Sequence, residues 1–203
     1  MNMMNKPYSE SCDQNREPIL DIIAPIFSAS SSVLEIGSGT GQHAVYFAEN
    51  MPHLKWYTSD CRPYLDGINL WLHDAGLANV VAPIELDVTN SAWPKIDADA
   101  VFTANSIHIM NWFDVVNLMA GVGQLLEIQG DLVIYGPFNY DGRYTSESNE
   151  RFDQWLKSRD PNSGIKHFED LVSLADKNRM LLVSDYEMPA NNRILHFRKT
   201  ESS

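Results

Sequence analysis

The chain has 203 residues, of which 44% are hydrophobic and 21% are charged, and its formal net charge is -12 at pH 7. This size suits one globular domain over residues 1–203, and the acidic balance argues against a broad nucleic-acid-binding surface, which needs clustered Lys and Arg. Two cysteines form no disulfide framework, no signal-peptide pattern is present, and no apolar run reaches the ~20 residues that span a bilayer. We therefore predict a cytoplasmic protein without a membrane partner.

The amino-terminal part has no periodicity, and we predict an irregular arm over residues 1–16. Glu17-Pro18 is typical of a helix start, because proline is tolerated in the first helical turn. One face of the helix that follows is apolar and contains Ile19, Ile22, Ile23 and Ile26. Arg16 is either a solvated charge beside this helix or a guanidinium group that binds a ligand carboxylate.

The segment from Val33 to Gly41, Val-Leu-Glu-Ile-Gly-Ser-Gly-Thr-Gly, predicts a buried strand, a glycine-rich turn and the start of a helix. These three parts begin a nucleotide-binding α/β unit. A dinucleotide-binding turn has the spacing G-x-G-x-x-G/A, but here the third glycine comes one residue early and Gln42 replaces the final Gly or Ala. Glu35 would repel a pyrophosphate and suits a cationic ligand instead.

This segment resembles motif I of the class I S-adenosylmethionine-dependent methyltransferases, whose ligand carries a sulfonium and an ammonium group. An ordinary strand–helix turn is the alternative explanation. The resemblance implies that the turn binds the cofactor, which gives these candidate residues: Glu35, Gly37, Ser38, Gly39, Thr40 and Gly41. With this ligand, the carboxylate that Arg16 would bind in its functional role is that of the methionine.

A second strand, Leu54 to Ser59, ends at Asp60, about twenty residues beyond the glycine turn. At this distance a carboxylate can accept hydrogen bonds from both hydroxyls of a ribose, so Asp60 is a further cofactor-binding candidate. Its alternative role is to cap the next helix, in which Pro63 lies near the start. Both roles are compatible with one position.

The third strand, Val80 to Leu86, contains Pro83, which cannot donate a hydrogen bond to a neighbouring strand. We therefore predict that this strand lies at an edge of the sheet. Asp87 and Val88 follow it and match the place where the methyltransferase family binds adenine. The resemblance implies that Asp87 binds the exocyclic amine and that Val88 contacts the ring, whereas a plain surface loop is the alternative for Asp87.

The fourth strand, Asp99 to Ala104, is almost wholly apolar and is predicted to be central in the sheet. Asn105 and His108 follow at its carboxyl end, where ligands of open α/β sheets bind. Asn105 is therefore a cofactor-binding candidate and His108 a candidate general base. The alternative for His108 is a hydrogen bond to the backbone at a helix start. A helix to Glu127 and a fifth strand over residues 131–135 come next.

Between Pro137 and Pro161 a polar and aromatic segment interrupts the alternation and leads into a short amphipathic helix. Segments of this length are usually functional or disordered, and the aromatic residues argue against disorder. We predict that residues 137–161 form a lid over the substrate, with Tyr144 and Asp153 as further candidate bases. The alternative is a surface excursion whose aromatic residues only cover the hairpin that follows.

The last part of the chain predicts a helix over residues 168–177 and two strands over residues 180–186 and 194–199. From Arg16 to Lys199 the chain resembles an uncharacterised class I methyltransferase-like family, which includes bacterial proteins and related eukaryotic ones. The segments that carry this resemblance are Asn105-Ser-Ile-His-Ile, Tyr135-Gly-Pro-Phe, Tyr144-Thr-Ser-Glu-Ser-Asn149, Phe152-Asp153 and Met188-Pro-Ala-Asn-Asn192.

The resemblance implies a Rossmann-like α/β fold: a seven-stranded, mostly parallel sheet with a carboxyl-terminal antiparallel hairpin and helices on both faces. It also implies an S-adenosylmethionine-dependent methyltransferase that yields S-adenosylhomocysteine, and we predict a small-molecule acceptor. The alternative is a non-catalytic S-adenosylmethionine-binding or regulatory protein. A nicotinamide-dependent oxidoreductase is disfavoured by Glu35 and Gln42. No set of His, Cys and carboxylate residues has metal-ligand spacing, so no metal site is predicted.

Overall fold

The computed structural model describes residues 6–90 and 93–201. Its strands are β1 (Ser32–Ile36), β2 (Lys55–Asp60), β3 (Val80–Glu85), β4 (Ala100–Ala104), β5 (Asp131–Gly136), β6 (Phe138–Asn139), β7 (Lys166–His167), β8 (Met180–Met188) and β9 (Asn192–Lys199). Its α-helices are α1 (Glu10–Ile26), α2 (Gln42–Asn50), α3 (Leu65–Ala75), α4 (Trp112–Leu125), α5 (Glu147–Arg159) and α6 (Phe168–Lys177). Short 3-10 helices cover Phe27–Ala29, Arg62–Tyr64 and Pro189–Asn191. No helix in the described part of the chain combines the length and apolar character needed to cross a membrane.

Seven strands form one sheet in the order β3-β2-β1-β4-β5-β9-β8. The first five are parallel to one another, and β9 runs antiparallel to both β5 and β8. The predicted α/β fold with a carboxyl-terminal hairpin is confirmed. The connection after β1 leads to β2 on one side, and the connection after β4 leads to β5 on the other side. A crevice therefore opens between the carboxyl ends of β1 and β4, and sheets of this kind bind ligands there.

Both faces of the sheet are buried, and neighbouring residues of one strand enter different cores. Leu34 and Ile36 belong to a core formed with α4 and α6. Val33, one position away, belongs to a second core formed with α1 and α2. This arrangement explains why the strands appear in the sequence as continuous apolar runs rather than as alternating patterns.

Strand β3 lies at an edge of the sheet, as Pro83 predicted. The register between β2 and β3 shifts between the pairs Tyr57–Val81 and Ser59–Ile84, and Pro83 lies within this irregular stretch. A residue without an N–H group is tolerated at such a position because no ladder hydrogen bond depends on it.

Helix α1 begins at Glu10, so the prediction of an irregular arm over residues 1–16 is wrong from that residue onward. Pro18 lies inside the helix rather than in its first turn. Tertiary contacts hold the extra turns: Ser9 N–H donates to Gln42 Oε1 at 2.6 Å, and Asn15 Oδ1 lies 2.7 Å from His43 Nε2. These contacts with α2 outweigh the loss of one backbone hydrogen bond at the proline.

Residues 137–161 are more regular than their composition indicated. They contain β6, a tight turn closed by a bridge between Tyr140 and Arg143, and α5. Strand β6 pairs in parallel with β7, which the sequence did not predict. A two-residue strand has too few positions to show a period of two.

Candidate functional site

The glycine-rich turn lies in the crevice at the carboxyl end of β1. The N–H groups of Gly37 and Ser38 donate to Ser59 O at 3.0 and 2.9 Å, which fixes the turn against β2. Gly39 has a φ of +58°, and a β-carbon built there would meet no heavy atom within 4 Å. Gly39 therefore borders open space in a conformation that favours glycine, as a surface that a ligand approaches requires.

Gly41 serves packing rather than access. Its φ is +91°, and an added β-carbon would lie 3.2 Å from both Ile68 Cα and Trp71 Cβ. The missing side chain lets the start of α2 pack closely on α3. Thr40 also contacts the start of α2: its hydroxyl donates to Gln42 Oε1 at 3.0 Å.

Asp60 ends β2 beside the turn, and backbone N–H groups engage both of its carboxylate oxygens. Gly39 N–H donates to Oδ2 at 2.8 Å and Cys61 N–H donates to Oδ1 at 2.7 Å. Burial raises the pKa of Asp60, and these two hydrogen bonds oppose the rise. The alternative role as a helix cap is wrong, because Cys61 is the N-cap of the next helix and makes no side-chain cap bond.

The end of β3 is aligned with that of β2, because Leu86 N–H donates to Asp60 O at 2.9 Å. Asp87 accepts hydrogen bonds from the hydroxyl of Thr89 at 2.7 Å and from its backbone N–H at 2.9 Å. Both bonds lower the pKa of Asp87. Val88 is buried in the core beside α4. The adenine-binding roles of Asp87 and Val88 stay predictions.

Glu35 is buried beneath the turn. Its Oε2 accepts hydrogen bonds from Ser38 Oγ at 2.9 Å and from Trp56 Nε1 at 3.1 Å. Burial raises the pKa of Glu35 to about 7 even though both hydrogen bonds favour the ionised form. Glu35 thus supports the glycine turn through Ser38, and its direct contact with a cationic ligand stays a prediction.

The raised pKa of Glu35 predicts a pH-dependent stability. The contribution of the protonated carboxyl group is fully present below the unfolded pKa of 4.5 and is lost as the pH rises through the folded pKa of about 7. The wild-type chain should lose about 3 kcal/mol of unfolding free energy from this group between pH 4.5 and pH 8. Glu35→Gln should remove that loss in urea denaturation at the two pH values. An unchanged pH dependence in Glu35→Gln, with the exposed Glu49→Gln as control, would contradict the assignment.

Arg16 lies on α1 and is engaged by neighbouring side chains. Its guanidinium group donates to Asp13 Oδ1 at 2.8 Å and lies over the ring of Tyr46 at 4.7 Å from the centroid. Neither contact involves the glycine turn. The predicted interaction of Arg16 with a methionine carboxylate therefore stays a prediction.

A cavity of about 390 Å³ opens beside the crevice. Its walls come from α1, the carboxyl ends of β4 and β5, α5, and the turn between β8 and β9. Asn105 lies at the end of β4, on the border of the cavity, with a φ of +57° and its N–H bonded to Tyr135 O at 2.9 Å. Its position connects the crevice, which the strand ends form, with the cavity.

Tyr144 and Asp153 are hydrogen-bonded to each other as part of a structural cluster. Tyr144 donates to Asp153 Oδ2 at 2.7 Å, and Asp153 also accepts from Lys157 at 2.6 Å and from Ile165 N–H at 2.7 Å. Burial opposes the ionisation of Asp153, but these hydrogen bonds together lower its pKa. The bond to Asp153 is also the main reason that the pKa of Tyr144 rises to about 12. Neither residue lines the cavity, so the contacts argue against general-base roles.

His108 is buried behind the cavity wall. Its ring meets that of Phe152, which lines the cavity, edge-on at 5.1 Å between centroids. Burial, with a smaller effect from the charge of Lys166, lowers the pKa of His108 to about 4, so the imidazole is neutral at pH 7. His108 lies in a turn before α4, and its backbone O accepts a hydrogen bond from Gly164 N–H at 2.9 Å. This backbone bond is not the helix-start interaction of the imidazole that the alternative describes.

Several residues that line the cavity were not predicted from the sequence, among them Tyr135, Asn15 and Asn192. Tyr135, at the end of β5, is 3% exposed. Burial raises the pKa of Tyr135, and the side chains of Asn15 and Asn192 oppose the rise. The position of Tyr135 at a strand end was a usable signal, whereas Asn15 required the correct start of α1. Within residues 6–90 and 93–201, no group of three or more His, Cys, Asp or Glu could hold a metal ion.

Residues 6–199 match the model of a family described as "Protein of unknown function (DUF938)". The fold resembles an O-methyltransferase family protein from Burkholderia thailandensis (TM-score 0.81, 14% identity, 92% of this chain and 57% of the other). It also resembles human N-acetylserotonin methyltransferase in complex with S-adenosylmethionine (TM-score 0.79, 15% identity, 95% and 53%). A third similar structure is an O-methyltransferase family 2 protein from Planctomyces limnophilus in complex with apigenin (TM-score 0.74, 15% identity, 83% and 51%). The chain spans just over half the length of each, and the likeness shows a methyltransferase fold.

Proposed function

We propose a function for this chain, which belongs to the DUF938 family of proteins of unknown function: it is an S-adenosylmethionine-dependent methyltransferase that acts on a small molecule. The observation that carries the proposal is the open space at Gly39, whose N–H group donates to the carboxylate of Asp60 at the end of the neighbouring strand. Dinucleotide binding is the weaker explanation, because the buried acid Glu35 lies beneath the turn.

The residues of the crevice fit the proposed cofactor. An added β-carbon at Gly39 would fill the space that a ligand needs. Each carboxylate oxygen of Asp60 has one backbone donor, so lone pairs are left to accept hydrogen bonds from ribose hydroxyls. Asp87 and Val88 would hold the adenine, and Asn105 would lie where the cofactor meets the acceptor. When bound, the cofactor supplies an electrophilic methyl group.

The task of the protein in such a transfer is to align the acceptor. We assign acceptor binding to the cavity beside Asn105, and we propose that residues 137–161 act as its lid. Ser148, Asn149 and Phe152 of α5 line the cavity and support this assignment. A volume of about 390 Å³ suits a small molecule. The complex with apigenin among the similar structures is consistent with this size of ligand.

A non-catalytic, cofactor-binding protein is the second candidate. The observation that favours it is the absence of a carboxylate, lysine or histidine side chain among the described residues that line the cavity. A methyl transfer needs a general base only when the nucleophile holds its proton in the reactive state, so this observation does not oppose catalysis.

One experiment separates the two candidates. Calorimetry with S-adenosylhomocysteine tests the crevice, and incubation of a metabolite extract with methyl-labelled S-adenosylmethionine tests for transfer. Binding together with a labelled product supports the methyltransferase. Binding without any labelled product favours the non-catalytic protein, and a lack of binding refutes both.

Asp60→Ala should weaken the binding of S-adenosylhomocysteine more than tenfold, because each charged hydrogen bond that is lost contributes about 1.5–3 kcal/mol. Asp60→Asn should cause a smaller loss, since its amide oxygen can still accept the hydrogen bond from Gly39. Titration calorimetry and thermal melting of both variants give the comparison. Wild-type affinity in Asp60→Ala, with a lower melting temperature, would assign Asp60 to the structure of the turn alone.

A further inference from the structure

The cavity is lined by neutral polar groups although the chain carries 27 acidic and 15 basic residues. Within the described residues, no Asp, Glu, Lys, Arg or His contributes to its lining. Six of the lining residues share a carboxamide group: Gln14, Asn15, Asn105, Asn149, Asn191 and Asn192. The lining therefore has many carboxamide groups and no charged side chain, which the composition of the whole chain does not explain.

These carboxamides are held in fixed orientations. Asn149 is buried, and its Nδ2 donates to Thr145 Oγ1 at 2.8 Å and to Asn191 O at 3.0 Å. The amide group of Asn192 donates to Pro189 O at 3.2 Å. Because both N–H groups of its amide are engaged, Asn149 presents its carbonyl oxygen as an acceptor.

The backbone of the wall is equally specific. Asn105, Ala190 and Asn191 all have left-handed conformations, with φ of +57°, +58° and +58°. Residues other than glycine adopt this conformation at a cost, and they cluster where the surrounding structure holds a functional geometry. These residues come from two segments that are distant in sequence, the end of β4 and the turn before β9. Both segments border the same cavity.

A charged acceptor does not suit such a site. A carboxylate or phosphate would lose its hydration without an Arg or Lys partner, and an ammonium group would lose it without a carboxylate. Carboxamides both donate and accept hydrogen bonds, which matches the hydroxyl and amide groups of uncharged metabolites. We infer that the acceptor is an uncharged small molecule that carries hydroxyl or amide groups, an inference that rests on the proposed function.

Atoms and electrons balance in a methyl transfer to such an acceptor without a further reactant. A lone pair of the acceptor oxygen or nitrogen forms the bond to the methyl carbon, and the electron pair of the broken carbon–sulfur bond stays on sulfur. The acceptor's proton passes to water. Asn149 and Asn192 take no proton, and they act by positioning the acceptor.

Ion-exchange separation of a metabolite extract into anionic, cationic and neutral pools tests the inference directly. Each pool is incubated with the full chain and methyl-tritiated S-adenosylmethionine, and we expect the labelled product from the neutral pool. Label only from the anionic or cationic pool would overturn the inference and leave the methyltransferase assignment intact. No label from any pool, with S-adenosylhomocysteine still bound, would refute the methyltransferase assignment and the inference together.

A charge placed on the cavity wall gives the second test. Asn149→Asp should lower kcat/KM for the neutral acceptor at least about tenfold, with less than about a twofold change in S-adenosylhomocysteine affinity. Asn191→Asp, at an exposed position of the same wall, should act in the same direction without a risk to folding. Asn50→Asp, exposed at the end of α2, is the matched control and should leave kcat/KM unchanged. Unchanged kcat/KM in both cavity variants would overturn the role of the carboxamides.

Discussion

Gly39→Val is expected to abolish binding of S-adenosylhomocysteine, with a loss of affinity greater than about 100-fold. The branched side chain would occupy the open space of the crevice, where nothing lies within 4 Å of an added β-carbon. Valine also disfavours the φ of +58° at this position, so some loss of stability accompanies the change. Calorimetry measures the affinity, and circular dichroism with thermal melting verifies that the fold is retained.

Gly76→Val is the matched control for this effect. Gly76 follows α3, has a φ of +61°, and also has no heavy atom within 4 Å of an added β-carbon. It therefore reproduces the backbone strain away from the crevice. Gly76→Val should lower the melting temperature and leave affinity unchanged. Wild-type affinity in Gly39→Val would refute the proposed crevice, whatever the control shows.

Asp153→Ala is expected to lower the free energy of unfolding by about 3 kcal/mol, because the change leaves buried partners of a carboxylate without an acceptor. Ile165 N–H and the hydroxyl of Tyr144 lose their hydrogen bonds. Lys157 contributes less, since its side chain is 52% exposed and solvent screens its charge. Urea denaturation measures the loss. S-adenosylhomocysteine affinity should stay unchanged, because the hydrogen-bond partners of Asp153 are Tyr144, Lys157 and Ile165 rather than residues of the glycine turn.

The pH dependence of Asp153 has the opposite sign to that of Glu35. Its folded pKa is lowered, so its contribution is present above the unfolded pKa of about 3.9 and is lost as the pH falls through the folded pKa. Tyr144→Phe, which removes one hydrogen bond, should cost about 1 kcal/mol. A chain that keeps its stability in Asp153→Ala but loses methyl transfer would restore Asp153 as a general base.

Local signals predicted much of the fold because they depend on neighbouring residues. Helix α6 has the predicted bounds, and Pro83 correctly placed β3 at an edge. The start of α1 was missed, since Pro18 is typical of a first turn and only contacts with Gln42 and His43 extend the helix beyond it. Such contacts have no local signature.

The residues of the candidate site also divide into those with a local sequence signal and those that depend on contacts between distant segments. Asp60 was identified because a strand end and a fixed distance from a glycine turn are local features. The pairing of Tyr144 with Asp153 was not foreseen, because it depends on how the segment before α5 packs beside that helix. The cavity is lined by residues from five elements that are spread over most of the chain. No short stretch of sequence contains all of them, so the cavity could not be predicted from local patterns.

The segment before α1 contacts Trp71, which lies close to the glycine turn and whose fluorescence is sensitive to its surroundings. Trp71 Nε1 donates to Pro7 O at 2.6 Å, and the ammonium group of Lys6 lies 3.6 Å from the centre of the same indole. Two residues further on, Ser9 binds Gln42 at the start of α2. These surface contacts can open without unfolding of the sheet. Loss of these contacts would change the surroundings of the indole, so the difference in fluorescence between the wild-type chain and Trp71→Phe would report movement of this segment.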